Sequence, residues 1–174
     1  MSILKFLGLQ TDQASAAEEG DTVLRLQEAL EDLKPAKARY ITSFALILGR
    51  VAGADGQISD TELKEIDRII RVEGGLDDKQ ANLVLELTRN RDLQGQAVDT
   101  LVTGEFGRVA SREQKTQLLN CLFAVAAAEG NVSEVEEDMI HLISGEISLP
   151  ERDFIGVRYR YLKYLPTKSK STFR

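Results

Sequence analysis

The 174-residue sequence contains one cysteine, one histidine, three prolines and no tryptophan. A single cysteine, Cys121, excludes an internal disulfide framework and fits a reducing compartment. The lack of Cys/His clusters leaves no ligand set for a structural zinc ion. No apolar run reaches the roughly 20 residues that a membrane-spanning helix needs. We therefore expect a cytoplasmic protein without disulfides.

Motifs of the common enzyme classes are also missing. The sequence has no G-x-S-x-G element and no Walker-type or G-x-G-x-x-G phosphate loop. His141 by itself cannot support a histidine-dependent triad, and we interpret it as a surface residue that caps or pairs. Cys121 falls on Ile47 in the repeat described below, which indicates a small core residue. We expect no enzymatic activity.

The net charge of −6 is unevenly distributed. From Arg152 to Arg174 there are seven basic residues and one acidic residue, a net charge of +6, so the rest of the chain is strongly acidic. An acidic body argues against nucleic-acid binding, which needs a basic face to displace phosphate counterions. The basic end, interleaved with aromatic residues, has two interpretations: contact with an anionic membrane or partner, or an amphipathic last helix with a solvated end. We favour the second.

Apolar residues recur at helical spacing, and no segment shows the period-2 alternation of strands. Helices are predicted at about 22–33, 36–54, 59–72, 78–88, 94–103, 111–128, 133–143 and 150–164. Residues 104–107 are expected to form a Gly-containing turn. The fold class is therefore all-α, a bundle of about seven or eight helices. We expect one domain at 22–165, a partly mobile leader at 1–21 and a basic tail at 166–174.

The apolar start of the leader, MSILKFLGLQ, is too short for a signal peptide. We expect it to pack on the helical body. A short in-plane membrane contact is the alternative, which would place the protein at the inner face of the membrane.

An acidic turn occurs twice, as ADGQIS at 54–59 and AEGNVS at 128–133, 74 residues apart. Each copy fits the pattern A-[DE]-G-x-[IV]-S-x-x-E between an apolar helix and a second helix. The glycines can adopt the left-handed conformation that ends a helix. Ser59 with Glu62, and Ser133 with Glu136, match capping boxes that open the next helix. These residues therefore have architectural reasons to be present.

Asp55 and Glu129 are different, because they are predicted to lie in the last turn of their helices. A negative charge there opposes the helix dipole by about 0.3–1 kcal/mol. Its presence in both copies suggests an offsetting cation, either a metal ion or an arginine from elsewhere in the fold. If the turns lie close together, Asp55, Glu62, Glu129 and Glu136 form a carboxylate cluster suited to Ca²⁺, Mg²⁺ or Mn²⁺. The turn is not an EF-hand loop, since glycine directly follows the acid.

With this turn present twice, the chain resembles the TerB-like family, named for a bacterial tellurite-resistance protein. The resemblance covers roughly Lys37 to Leu162, including the closing segment SLPERDFIGVRYRYL. It implies an all-helical bundle with pseudo-two-fold internal symmetry and divalent-cation binding through Asp55, Glu62, Glu129 and Glu136. Family members are associated with tellurite and other chemical stress, phage defence and membrane-linked complexes. That profile implies a sensor or scaffold that recruits a protein partner.

Two hypotheses follow from the sequence. The first is a cation-binding regulatory or scaffold module whose acidic turns hold a divalent ion. The second is a metal-free helical interaction scaffold in which the same acids are structural or bind a basic partner.

Overall fold

The computed structural model describes residues 33–74, 77–89 and 96–166. Within these residues the chain forms seven α-helices and one 3-10 turn, with no strand. The helices are α1 Pro35–Ala52, α2 Asp60–Gly74, α3 Asp78–Arg89, α4 Gln96–Val109, α5 Arg112–Ala126, α6 Glu134–Glu146 and α7 Glu151–Arg160, and the 3-10 turn is Ala127–Glu129. The all-α prediction is confirmed. The leader 1–21, the helix predicted at 22–33 and most of the basic tail lie outside the described residues.

Helix α1 occupies the centre of the fold, as its all-round apolar sequence predicts. Pro35 stands at its first position, where the missing N–H is not needed. Of its 18 residues, 12 are buried, and α1 packs against α2, α3, α4, α5 and α6. One continuous hydrophobic core runs from α1 through α5 to α7.

Helix α4 corrects the sequence prediction, because no turn interrupts it at 104–107. Close packing explains why a glycine is needed at position 107, inside this helix. A Cβ atom at that position would lie 2.8 Å from the Cα of Ile147, in the turn after α6. Gly104, in contrast, has open space around its Cα. The glycine pair therefore marks a close helix approach at one position and not a chain reversal.

Serine and aspartate caps define several helix starts. Ser111 forms a capping box with Gln114 at the start of α5. At the start of α3, Oδ1 of Asp77 accepts from the backbone N–H of Gln80, whose side chain accepts from the N–H of Asp77. Asp77 is therefore the cap of α3. These local bonds satisfy backbone donors that a helix start otherwise leaves unpaired.

The last helix closes the fold over α5. The ring of Tyr161 stacks on Phe123, with centroids 5.2 Å apart, and its hydroxyl donates to the backbone carbonyl of Asn120. Arg112 on α5 donates two hydrogen bonds, of 2.6 and 2.7 Å, to the carboxylate of Asp153 on α7. No helix in the described ranges is long and apolar enough to cross a membrane.

Candidate functional site

The first acidic turn connects α1 to α2. Helix α1 ends at Ala52, and the chain turns through Gly56, whose φ of 108° lies in the left-handed region. Asp55 is therefore beyond the helix, in the turn, and the prediction that it occupies the last helical turn is wrong. Its Oδ1 accepts a hydrogen bond of 3.1 Å from the backbone N–H of Gln57. Asp55 thus has a local structural role that the sequence pattern did not reveal, typical of aspartate in turns.

The second acidic turn connects α5 to α6 with a small difference. The 3-10 turn Ala127–Glu129 follows α5, and Gly130 ends it with a φ of 93°. The N–H of Gly130 donates to the carbonyl of Ala127 at 2.9 Å. Glu129 is the last residue of this 3-10 turn, so its carboxylate does lie at the C-terminal end of a helical segment. Both glycines adopt the predicted left-handed conformation.

Both predicted capping boxes are present, with matching geometry. The carboxylate of Glu62 accepts from the N–H of Ser59 at 2.8 Å, and the N–H of Glu62 donates to the Ser59 hydroxyl at 3.2 Å. The same two distances, 2.8 and 3.2 Å, join Glu136 and Ser133. In each box a single carboxylate oxygen, Oε2, makes the contact. The glutamates are 6% and 8% exposed, so both carboxylates are held at nearly buried positions.

The four acids of the two turns interact electrostatically. Burial raises the pKa of Glu62, hydrogen bonds from Ser59 oppose this, and the negative charges of Glu136 and Glu129 raise the pKa further. Burial likewise raises the pKa of Glu136 against the hydrogen bonds from Ser133, with added contributions from Asp55 and Glu129. The fold therefore brings the two turns close enough for their charges to repel, and the 3-10 turn packs against α2.

None of these four carboxylates forms an ion pair within 4.0 Å with a basic side chain in the described residues. An arginine that offsets them is thus not found in that part of the chain. Within the same ranges, no three His, Cys, Asp or Glu side chains are already arranged to chelate a metal ion. Glu62 and Glu136 are held by their caps, whereas Asp55 and Glu129 are exposed. The donor chemistry suits a hard cation.

Among the described residues, the second turn has two supports with no counterpart at the first. Arg158 of α7 donates to the carboxylate of Glu137 at 2.6 Å, and Glu137 is only 8% exposed. The N–H of Val132 donates to the carbonyl of Tyr164 at 2.7 Å, so the segment after α7 is fixed to the turn. In the first repeat the position of Glu137 is held by the apolar, buried Leu63. That difference in the sequence was the signal for the Glu137–Arg158 pair, which sequence reasoning missed.

The family model described as Tellurite resistance protein TerB matches residues 41–159, more than two thirds of the chain. The chain belongs to the TerB family. The match includes both acidic turns, all four acids of the predicted site and most of α7. No curated protein and no solved structure matches the chain.

His141 and Cys121, the two other candidates from the sequence, can also be located in this TerB-family fold. The ring of His141 stacks on Phe154, with centroids 4.5 Å apart, and its Nε2 lies 3.3 Å from the Glu151 carboxylate. That agrees with the predicted surface pairing. Cys121 forms no disulfide and is 6% exposed, in the hydrophobic core. Neither residue lies in the acidic turns.

Proposed function

We propose that this TerB-family protein is a divalent-cation-binding regulatory or scaffold module, with Asp55, Glu62, Glu129 and Glu136 as its cation ligands. The observation that carries the proposal is that the 3-10 turn of the second acidic turn packs against α2, where negative charges of one turn raise the pKa of the buried glutamate of the other. Buried like charges raise the free energy of the folded state unless something neutralises them. A divalent cation would neutralise two of them at once.

The chemistry of the four donors selects the class of ion. All are carboxylates, and hard oxygen ligands favour Ca²⁺, Mg²⁺ or Mn²⁺ over softer ions that prefer sulfur and imidazole. In each glutamate the capping box occupies Oε2, and Oε1 has no hydrogen-bond partner among the described residues. Oε1 of Glu62 and Oε1 of Glu136 would therefore hold the ion without loss of the helix caps. Asp55 and Glu129, being exposed, would complete the ligand set by rotation.

A binding role without catalysis is part of the proposal. We infer a cytoplasmic protein that recruits a protein partner and acts in a stress response of the tellurite type. Support for the stress response is the family description alone. The stress response can be tested in a host that lacks the gene. Growth with and without tellurite is compared after wild type or Asp55→Asn/Glu129→Gln is supplied.

Titration calorimetry with Ca²⁺, Mg²⁺, Mn²⁺ and Zn²⁺ tests cation binding. We expect Asp55→Asn/Glu129→Gln to abolish the binding seen in wild type. The matched control is Asp60→Asn/Glu134→Gln, which removes the same charge from exposed positions beside the same turns. Melting scans with and without EDTA give a second measurement. An ion at about 100 times its Kd stabilises the folded state by about 2.7 kcal/mol.

A metal-free interaction scaffold is the second candidate, and one observation favours it: three of the four acids already have hydrogen bonds with local backbone groups. Absence of binding at millimolar concentrations of every ion would decide for this alternative. Equal binding by wild type and the Asp55/Glu129 variant would mean that the cation sits elsewhere.

A further inference from the structure

Three large apolar side chains are exposed along the last helix and the turn that continues it. Ile155, Tyr159 and Leu162 are 57%, 73% and 46% exposed. The four-residue spacing places Ile155 and Tyr159 on one face of α7, and Leu162 follows in the turn after the helix. Phe154 and Val157, on the opposite face, are buried in the core. Helix α7 therefore has one apolar side packed in the fold and a second at the surface.

Basic side chains border this exposed face. Arg152, Arg160 and Lys163 are all exposed. Arg160 and Lys163 have no acidic partner among the described residues, and Arg152 lies 3.8 Å from the nearest carboxylate oxygen.

The two acids of α7 do not neutralise the face. Asp153 accepts two hydrogen bonds from the guanidinium of Arg112 on α5, and the exposed Glu151 carboxylate lies 3.3 Å from Nε2 of His141 on α6. The fourth basic residue of the segment, Arg158, is used internally by Glu137. On the outer face the three basic residues Arg152, Arg160 and Lys163 outnumber the one exposed acid, Glu151, so this face keeps a net positive charge.

The sequence after Pro166 continues the same chemistry. It contains Lys168, Lys170 and Arg174, together with Phe173, and no acid. A net charge of +6 between Arg152 and Arg174, on a protein of net charge −6, is concentrated at one end of the chain. This uneven charge distribution creates a positive electrostatic potential that attracts an anionic partner.

We propose that the exposed α7 face, formed by Ile155, Tyr159 and Leu162 with Arg152, Arg160 and Lys163, docks on an anionic lipid bilayer. Surface-lying helices combine apolar side chains that enter the headgroup region with Lys and Arg that contact anionic lipids. Tyrosine suits this boundary because one end of its ring is apolar and the other is polar. All three side chains are accessible at the surface, as contact with a bilayer requires.

The short apolar face gives weak and reversible binding by itself, so the basic charges are needed as a second contribution. Each Lys or Arg near an anionic surface contributes about fivefold in binding. Membrane binding should therefore depend strongly on lipid charge and on ionic strength. The sequence alone favoured an amphipathic last helix with a solvated end. The exposure of Tyr159 and its neighbours is our reason to propose membrane contact instead.

Vesicle co-sedimentation of the full chain in EDTA tests the proposal independently of cation binding by the acidic turns. Phosphatidylcholine vesicles are compared with vesicles containing about one third phosphatidylglycerol, at low salt and at about 0.15 M salt. Arg160→Glu/Lys163→Glu should lower binding to anionic vesicles by roughly 25-fold or more. The matched control Lys64→Glu/Lys79→Glu makes the same charge change at exposed positions on α2 and α3. It should retain binding within about twofold, because those lysines are not part of the α7 face.

The apolar contribution is tested by Ile155→Ser/Leu162→Ser against Val72→Ser/Val135→Ser, which changes exposed valines elsewhere. Only the first pair should weaken sedimentation. Circular dichroism and melting confirm that each variant is folded. The proposal is overturned if anionic vesicles do not sediment the protein, or if neutral vesicles do so equally well. It is equally overturned if Lys168→Glu/Lys170→Glu abolishes binding while the α7 variants do not, or if the face binds polyglutamate but no vesicle, which indicates an acidic protein partner.

Discussion

Glu136 raises the pKa of Glu62, although 74 residues separate them in the chain. The two glutamates occupy the same position in their capping boxes, one at the start of α2 and one at the start of α6. Each is fixed by its serine, so neither can move away from the other without loss of a helix cap. The bundle thus holds two nearly buried carboxylates in mutual repulsion.

Glu62→Gln/Glu136→Gln should stabilise the cation-free protein at neutral pH. Glutamine keeps both hydrogen bonds of a capping box and removes the buried charge. A gain of about 1 kcal/mol would raise the melting temperature by roughly 2–4 °C in a chain of this size. Differential scanning calorimetry in EDTA measures it. In the control Ser59→Ala/Ser133→Ala the charges remain and the caps are lost, which should cost about 1 kcal/mol per cap. A lower melting temperature for the glutamine variant would contradict the repulsion.

The stability difference between this glutamine variant and wild type should depend on pH. The folded-state pKa values of Glu62 and Glu136 lie above the ordinary value of 4.5, so their contribution to stability is present below that pH and is lost as pH rises through the folded values. The advantage of the variant should therefore grow from about pH 4.5 toward neutrality. Urea unfolding at several pH values measures it. Groups common to both proteins cancel in the difference, including Glu146, whose pKa is lowered by Arg50 against the effect of burial. A constant difference would contradict the prediction.

Gly107→Ala should destabilise the protein, because the new methyl group would lie 2.8 Å from the Cα of Ile147. The backbone of the turn after α6 cannot rotate away as a side chain could, so α4 and that turn must separate. We expect a loss of about 1–3 kcal/mol by urea unfolding. Gly104→Ala is the matched control three residues earlier in the same helix, with open space at its Cα. It should gain roughly 0.5–1 kcal/mol from helix propensity. Equal effects of the two substitutions would exclude a close approach at Gly107.

Arg158→Met should lower stability by about 1–3 kcal/mol, since it leaves the nearly buried carboxylate of Glu137 without its partner. Glu137→Leu/Arg158→Met should recover most of that loss. Leucine is the residue that the first repeat carries at the equivalent buried position, Leu63. A double-mutant cycle by urea unfolding measures the coupling between the two sites. Additive effects of the single substitutions would show that the ion pair contributes nothing.

Local sequence chemistry was sufficient for much of this molecule. The helix types and most boundaries followed from apolar periodicity, and the Ser59 and Ser133 boxes followed from capping rules, because these depend on neighbours three or four residues away. The left-handed Gly56 and Gly130 followed for the same reason. The turn predicted at 104–107 failed because glycine has two uses, chain reversal and close packing. Only the approach of Ile147 distinguishes them.

The acidic turn was recognisable from sequence as a repeated element, and its four acids could be named there. Tertiary structure alone decided that the charges of the two turns act on one another and that Arg158 pairs with Glu137. It also decided that Ile155, Tyr159 and Leu162 face outward. The reason is physical: repulsion, ion pairing and exposure depend on distances between helices that are remote in the chain. The spacing of residues along one helix does not contain those distances.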